Sequence, residues 1–208
     1  MEEQVKALIN ENMFTEEKEE NVEDKNTNVL DETKTQQEKM LEELNKPIDE
    51  ILKEIGKTKD DVYNAIIQLI DTETYEEELS FMDGKLIFKF KAPLPATTDA
   101  VYAIMEDKYS LSLNRFDFTY NLLTIASILV SFKGKNLNEE CLKILKDKNI
   151  DIESMDPIEK EIAILKCKAQ KIESTIPLPI YQLLSQEAAK FHKFVYILGR
   201  EDVMDFLS

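Results

Sequence analysis

The sequence predicts a mainly α fold of the α+β class, a helical bundle-like domain with one β-hairpin near residues 76–91. Two observations predict it. Apolar residues recur at spacings of three and four along most of the chain, which is the period of one helix face. A single Asp-Gly turn separates two alternating segments, which is typical of a hairpin. We expect an acidic flexible leader over residues 1–34, a helical hairpin over 35–74 and a mostly helical globular domain over 75–208.

The acidic leader is predicted from the distribution of charge. The 208-residue chain has a formal net charge of -16, and residues 1–80 hold 24 acidic and 9 basic side chains, whereas residues 81–208 hold 18 and 17. Residues 15–28 contain one aliphatic side chain, Val22, which is too little apolar surface to offset the entropy lost on ordering. We therefore expect the leader to be partly disordered and solvated. A partner-binding or DNA-mimicking tail is the alternative interpretation.

Two apolar stripes at helical spacing predict the helical hairpin. Pro47 interrupts the first stripe and predicts a kink or the start of a fresh helix, and Gly56 ends it. Thr58 followed by Asp61 is a capping signal for the second helix. The first stripe consists of Met40, Leu41, Leu44, Ile48, Ile51, Leu52 and Ile55, and the second of Val62, Ala65, Ile66, Leu69 and Ile70. This hairpin is expected to present an apolar face to the following domain, to a second copy or to a partner.

The β-hairpin is predicted around the turn Met82-Asp83-Gly84-Lys85, because Asp-Gly accepts the positive φ angles of a type I′ turn. One face of the hairpin then pairs opposite charges and the other face is apolar, so both faces support one register. The opposing pairs are Glu76–Lys91, Glu78–Lys89, Leu79–Phe88 and Phe81–Leu86. Because an isolated two-stranded hairpin is marginal in water, it must lie on helices or gain a further strand.

The remainder of the chain shows helical patterns. The most apolar segment is 116–132, which we expect to be one buried helix that ends at Gly134. Asp156-Pro157 is an N-cap followed by proline at the first helical position. A last helix is expected from about Ile180 through Leu198.

The sequence contains no recognisable catalytic, cofactor-binding or metal-ligating set. His192 is the only histidine, and we expect it at the polar edge of the last helix, in a surface or capping role. Cys141 and Cys167 lie outside any metal motif and are interpreted as small buried apolar side chains. The chain has only 4 glycines and no glycine-rich phosphate loop. We therefore expect a protein that is not an enzyme, with no cofactor and no metal.

Charge and hydropathy also predict the surroundings of the protein. An acidic chain is a poor match for nucleic acid, because phosphates require a basic surface. The longest uncharged run, residues 118–132, is shorter than the roughly 20 apolar residues that span a bilayer. The N-terminal residues also lack the basic and apolar regions of a signal peptide. We expect a cytoplasmic protein with no nucleic acid and no membrane among its partners.

A further pattern is the order of features after residue 86. A strand Leu86-Ile-Phe-Lys-Phe-Lys-Ala-Pro93 precedes Leu122-Leu-Thr-Ile-Ala-Ser-Ile-Leu-Val-Ser-Phe-Lys-Gly134 and then Ile176-Pro-Leu-Pro-Ile-Tyr-Gln-Leu-Leu184. Phe191, Phe194 and a terminal Asp-Phe-Leu complete the series. In composition and order, residues 86–208 behind an acidic leader resemble the tail assembly chaperones of long-tailed bacteriophages.

This resemblance implies a non-enzymatic role in the cytoplasm of a bacterial host, where the chaperone coats the tape measure protein, a long helical polypeptide, until tail tube subunits replace it. A self-assembling structural virion or head–tail connector protein is the alternative, and an acidic DNA-mimic inhibitor is a further one. The expected partner is another protein, or a second copy in an oligomer. The candidate contact residues are Met40, Leu44, Ile48 and Ile51 of the first helical stripe and Leu86, Phe88 and Phe90 of the β-hairpin. Their alternative role is intramolecular core.

Overall fold

The computed structural model describes residues 46–106, 108 and 111–208, which all belong to one compact unit. The expected acidic leader, residues 1–34, lies outside the described residues, as do Met40 and Leu44. The described chain is mainly helical with one small antiparallel sheet, and this confirms the predicted fold class.

Eight α-helices, one short 3₁₀ turn and four strands make up the described residues. The helices are α1 (Ile48–Ile55), α2 (Lys59–Thr72), α3 (Pro95–Glu106), α4 (Leu113–Ile128), α5 (Leu137–Asp147), α6 (Pro157–Thr175), α7 (Leu178–Leu198) and α8 (Val203–Leu207). The 3₁₀ turn is Ile152–Ser154. The strands are β1 (Glu76–Phe81), β2 (Leu86–Lys91), β3 (Leu129–Phe132) and β4 (Lys135–Asn136).

Helices α2 and α6 begin at the predicted caps. The Thr58 backbone N–H donates to Asp61 Oδ2 at 2.7 Å, and the Asp61 N–H donates to Thr58 Oγ1 at 3.3 Å, which together form a capping box. Asp156 Oδ1 accepts two N–H groups of the first turn of α6 at 2.9 and 3.0 Å, with Pro157 at the first helical position. Gly56 follows α1 with a φ of 72°, a conformation that favours glycine. These predicted boundaries are confirmed.

Strands β1 and β2 form the predicted hairpin in the predicted register. The paired residues include Glu76 with Lys91, Glu78 with Lys89, Leu79 with Phe88 and Phe81 with Leu86. Asp83 and Gly84 have φ angles of 55° and 83°, as a type I′ turn requires. On the charged face, Lys89 Nζ lies 2.7 Å from Glu76 Oε2.

The sheet continues beyond this hairpin, and the prediction of one helix over 116–132 is wrong. Helix α4 ends at Ile128, and Leu129–Phe132 is strand β3, which pairs with both β2 and β4. Lys133 and Gly134, with φ angles of 51° and 74°, form the turn of a second hairpin instead of a helix end. Short apolar runs suit a buried helix or a buried strand equally well, and here the pairing with β2 decides. The strand order β1-β2-β3-β4 supplies the further strand that the first hairpin needs.

The main core forms where the apolar row of β2 meets α7. Phe88 and Phe90 of β2 are completely buried, and the Phe90 ring centroid lies 5.3 Å from that of Phe191 in α7. Phe191 in turn stacks on Tyr75, with 5.6 Å between the ring centroids. Aromatic pairs at such distances add about 0.5–1.5 kcal/mol beyond the burial of their area.

Helix α1 contributes to the same core, and it packs on α7 through its apolar side. The apolar residues of α1 that are buried are Ile48, Ile51, Leu52 and Ile55. The expected division of the chain into parts 1–34, 35–74 and 75–208 stays a prediction. A second, smaller core cluster lies between α5 and α6 and consists of Cys141, Leu145, Ile152 and Cys167.

Candidate protein-contact surface

Five of the seven predicted contact residues lie in the main core. Ile48, Ile51, Leu86, Phe88 and Phe90 are 0–4% exposed. A partner cannot reach side chains at this depth while the fold is intact, so we correct their assignment from contact surface to core. The physical reason is that α7 and the neighbouring strands already cover them. Met40 and Leu44 lie outside the described residues.

The structure places an apolar surface on a different element, the outer side of α2. Tyr63, Ile67 and Ile70 are 57%, 41% and 71% exposed. Their spacing of four and three residues puts them on one face of the helix, and we call these three residues the α2 stripe. Val62 and Ala65 are buried on the core side. Helix α2 is therefore apolar on two sides, and the other described residues cover one of them.

The α2 stripe was only partly visible in the sequence. The second helical pattern included Ile70 but assigned it to the same face as Val62 and Ala65, and it left out Tyr63 and Ile67. The signal that could have revealed the stripe is that the apolar residues of α2 extend around more of the helix than one face. A surface helix needs only one apolar face. A helix of 14 residues that is apolar on more than one side is a candidate for contact with a second surface.

Polar and acidic side chains border the α2 stripe. Asp60, Asn64 and Asp71 are exposed, and a rotation of about 100° per residue puts them beside the stripe on the side away from Val62. Residues 46–80 as a whole hold 10 acidic and 4 basic side chains. The stripe is thus an apolar strip with an acidic border.

Other large apolar side chains are exposed on separate elements. They are Met82, Leu94, Tyr102, Phe118, Tyr120, Leu142, Ile158, Leu178, Tyr196 and Met204. Single exposed apolar residues are normal on protein surfaces and carry little information. Within the described part of the chain, α2 is the helix that exposes three of them.

No family model, no curated protein and no solved structure matches this chain. The assignment of function therefore depends on the chemistry of the described surfaces and clefts.

A charged cleft of about 250 Å³ lies beside the main core, between the α1–α2 connection, β1 and α7. Its charged groups bond to one another: Lys57 Nζ donates to Glu77 Oε1, and Lys190 Nζ donates to Glu187 Oε1 at 2.8 Å. Tyr75 also donates its hydroxyl to Glu77 Oε2 at 3.0 Å, and burial together with the Glu77 charge raises the pKa of Tyr75. These polar groups already satisfy each other, so the cleft is better explained as a structural ion network than as a ligand site.

The only histidine is half-buried beside α4. His192 lies in α7 and bonds through its ring to the backbone carbonyl of Thr124 in α4, while its Nε2 is buried without a hydrogen-bond partner among the described residues. Burial lowers the pKa of His192. The residue as a whole is half-buried, so it lies at the edge of the core face of α7 as expected, with one ring nitrogen enclosed beside α4.

Two structural features are absent from the described residues. In that part of the chain, no three His, Cys, Asp or Glu side chains come close enough together to hold a metal ion. None of the described helices has the length and apolar character needed to cross a membrane.

Proposed function

We propose that this is a non-enzymatic protein-binding and assembly protein, in which the α2 stripe contacts the apolar face of a partner. The observation that carries the proposal is the exposure of Tyr63, Ile67 and Ile70 on one face of a well-capped helix. Exposed apolar residues that lie together on one face are typical of interaction surfaces.

The charge around the α2 stripe supports the same role. An apolar strip on an otherwise acidic, soluble surface binds a partner through burial, while the net charge of -16 limits self-aggregation. The acidic border also favours partners with Lys or Arg beside their apolar face, because opposite charges raise the rate of encounter.

The finer part of the proposal is a phage tail assembly chaperone that acts in the host cytoplasm. On this proposal the partner is the tape measure protein, whose long helices expose apolar stripes before the tail tube encloses them. The resemblance of residues 86–208 to such chaperones supports this assignment, and so does a surface suited to packing against another helix.

The test begins with a search of the adjacent genes for a long coiled-coil open reading frame, whose product is then co-expressed with the full chain. The chaperone proposal expects a complex that co-purifies and a gain in the soluble fraction of the partner. The double variant Ile67→Gln/Ile70→Gln should weaken the complex at least tenfold, because burial of one isoleucine contributes about 1.5–3 kcal/mol.

The matched control for this experiment is Ile158→Gln, which makes the same substitution at an exposed isoleucine of another helix, α6. The control should bind like the wild type. A complex that forms equally well with the double variant would remove the α2 stripe from the proposal, and the absence of any complex would remove the chaperone assignment.

A second candidate function is a self-assembling structural virion or connector protein. The observation that favours it is the position of β1 at one edge of the sheet, where another strand from a second copy can be added. Light scattering separates the two candidates. A stable closed ring supports the connector, whereas small or concentration-dependent oligomers support the chaperone.

A further inference from the structure

The smaller core cluster holds two cysteines next to each other. Cys141 in α5 and Cys167 in α6 are both buried and unbridged, and they lie in one cluster with Leu145 and Ile152. The Cys167 Sγ atom is 4.0 Å from the backbone oxygen of Cys141. The Cys167 thiol thus contacts the Cys141 backbone, and the two side chains share a hydrogen bond between α5 and α6, although 26 residues separate them in sequence.

Lysines surround this pair of thiols. The Lys168 side chain is only 4% exposed, and its favourable charge partners are Cys141 and Glu161. Lys171 Nζ forms an ion pair with Glu140 Oε2 at 2.6 Å. The charges of Lys148 and Lys171 both lower the pKa of Cys167. These positive charges therefore favour a thiolate at Cys167.

These contacts shift the pKa values of the two thiols in opposite directions. A hydrogen bond from Cys141, together with Lys148 and Lys171, lowers the pKa of Cys167. The Cys141 thiol donates that bond and is buried, so its pKa is raised. Cys167 is therefore the sulfur that ionises first, and Cys141 stays protonated beside it.

We propose that Cys141 and Cys167 form a site of reversible covalent modification, in which a peroxide oxidises the two thiols to a disulfide that links α5 to α6. In the first step the Cys167 thiolate attacks one peroxide oxygen, the O–O bond breaks, and the leaving hydroxide takes up a proton to become water. Cys167 is then a sulfenic acid.

In the second step the Cys141 sulfur attacks the sulfenic sulfur of Cys167 and gives up its proton. The S–S bond forms, the S–O bond breaks and a second water leaves. Two electrons pass from the two thiols to one peroxide, and a dithiol reductant reverses the change. The site lies in the cluster between α5 and α6, and its chemistry does not depend on the function proposed for α2.

The experiment uses the full chain, treated with hydrogen peroxide and then alkylated with iodoacetamide in denaturant. Intact mass should show a monomer that is lighter by two hydrogens and takes up no alkyl group. After treatment with dithiothreitol, the same protein should take up two alkyl groups. Proteolysis without reductant should release one cross-linked peptide that contains both Cys141 and Cys167.

Two variants sharpen this test. Cys141→Ala should give Cys167 sulfenic or sulfinic acid, or alkylated Cys167, and no intramolecular cross-link. Lys148→Met should slow disulfide formation, because removal of the Lys148 charge lowers the thiolate fraction of Cys167. The mass measurement on the wild-type chain tests the proposal even if a variant fails to fold.

Several results would overturn the proposal. A wild-type chain that still takes up two alkyl groups after peroxide, or that forms only disulfide-linked dimers, has no intramolecular site. An unchanged rate in folded Lys148→Met would overturn the part assigned to the lysine charge.

Discussion

Two rows of apolar side chains, one in β2 and one on α2, differ in their exposure to solvent. In β2, Leu86, Phe88 and Phe90 are 0–4% exposed, whereas the three side chains of the α2 stripe are 41–71% exposed. Strand β2 lies between β1 and β3 and has α7 beneath its apolar face. Helix α2 packs one apolar side into the core, and its other apolar side is exposed among the residues that the structure describes. An apolar row thus predicts contact with another apolar surface. The sequence pattern of the row does not determine whether that surface belongs to the same chain or to a partner.

The largest expected loss of stability comes from a substitution in the buried β2 row. Phe88→Ala should lower the free energy of unfolding by about 3–5 kcal/mol, because it removes a fully buried ring and leaves a cavity. Urea denaturation measures this change. Phe88→Leu, which keeps most of the volume, should lower stability by less. A loss below about 1 kcal/mol for Phe88→Ala would show that the β2 row is not a tightly packed core.

The second prediction concerns Lys168, which is the one charged side chain buried in the core among the described residues. Burial lowers the pKa of Lys168 from 10.5 to about 8, so the charged form is disfavoured in the folded state. A shift of this size corresponds to roughly 3 kcal/mol at neutral pH, where both states are protonated. Lys168→Met should therefore raise the free energy of unfolding at pH 7 by about 1–3 kcal/mol.

The pH dependence supplies the control for Lys168. Since the pKa of Lys168 is about 8 in the folded state, the unfolded state binds the proton more strongly between about pH 8 and 10.5. Wild-type stability should rise across this window, and the Lys168→Met variant should lose the rise. Denaturation midpoints at pH 7, 8 and 9.5 measure it, and an equal rise in both proteins would contradict the assignment.

Most of the fold could be predicted from the sequence because its signals are local. The caps at Thr58 and Asp156, the glycine after α1 and the register of the first hairpin all depend on residues close in sequence. The end of α4 could not be predicted in this way. Leu129–Phe132 becomes a strand because β2, about 40 residues earlier, offers it a pairing edge, and this is a long-range contact.

The candidate surface was harder to predict than the fold. The choice of contact residues among apolar stripes depended on which side of each helix the rest of the chain covers, and only tertiary packing decides that. Ile51 and Ile70 illustrate the point, because both fit a helical stripe, yet one is 1% exposed and the other 71%. The pairing of Cys141 with Cys167 also depends on the packing of α5 on α6 and has no signal in their spacing.

A smaller effect is expected at His192, at the edge of the core face of α7. Since burial lowers its pKa, the unfolded state binds a proton more strongly than the folded state near and below the unperturbed value of 6.5. Stability should be fully present above pH 6.5 and fall as the pH is lowered, with a slope of at most about 1.4 kcal/mol per pH unit. His192→Gln should remove this slope between pH 5.5 and 7, measured by urea denaturation. A slope that persists in the variant would assign it to another group.

The smallest effect is expected on the exposed row, and this prediction separates the two rows most directly. Ile70→Gln should change the free energy of unfolding by less than about 0.5 kcal/mol, because the side chain is 71% exposed and α2 keeps its cap and its core side. The matched change Ile51→Gln puts a polar group into the core and should lower stability by several kcal/mol, about 2 or more. Urea denaturation of both variants gives the comparison. A large loss for Ile70→Gln would mean that the same chain covers the α2 stripe, and the stripe would then belong with the β2 row instead of with a partner.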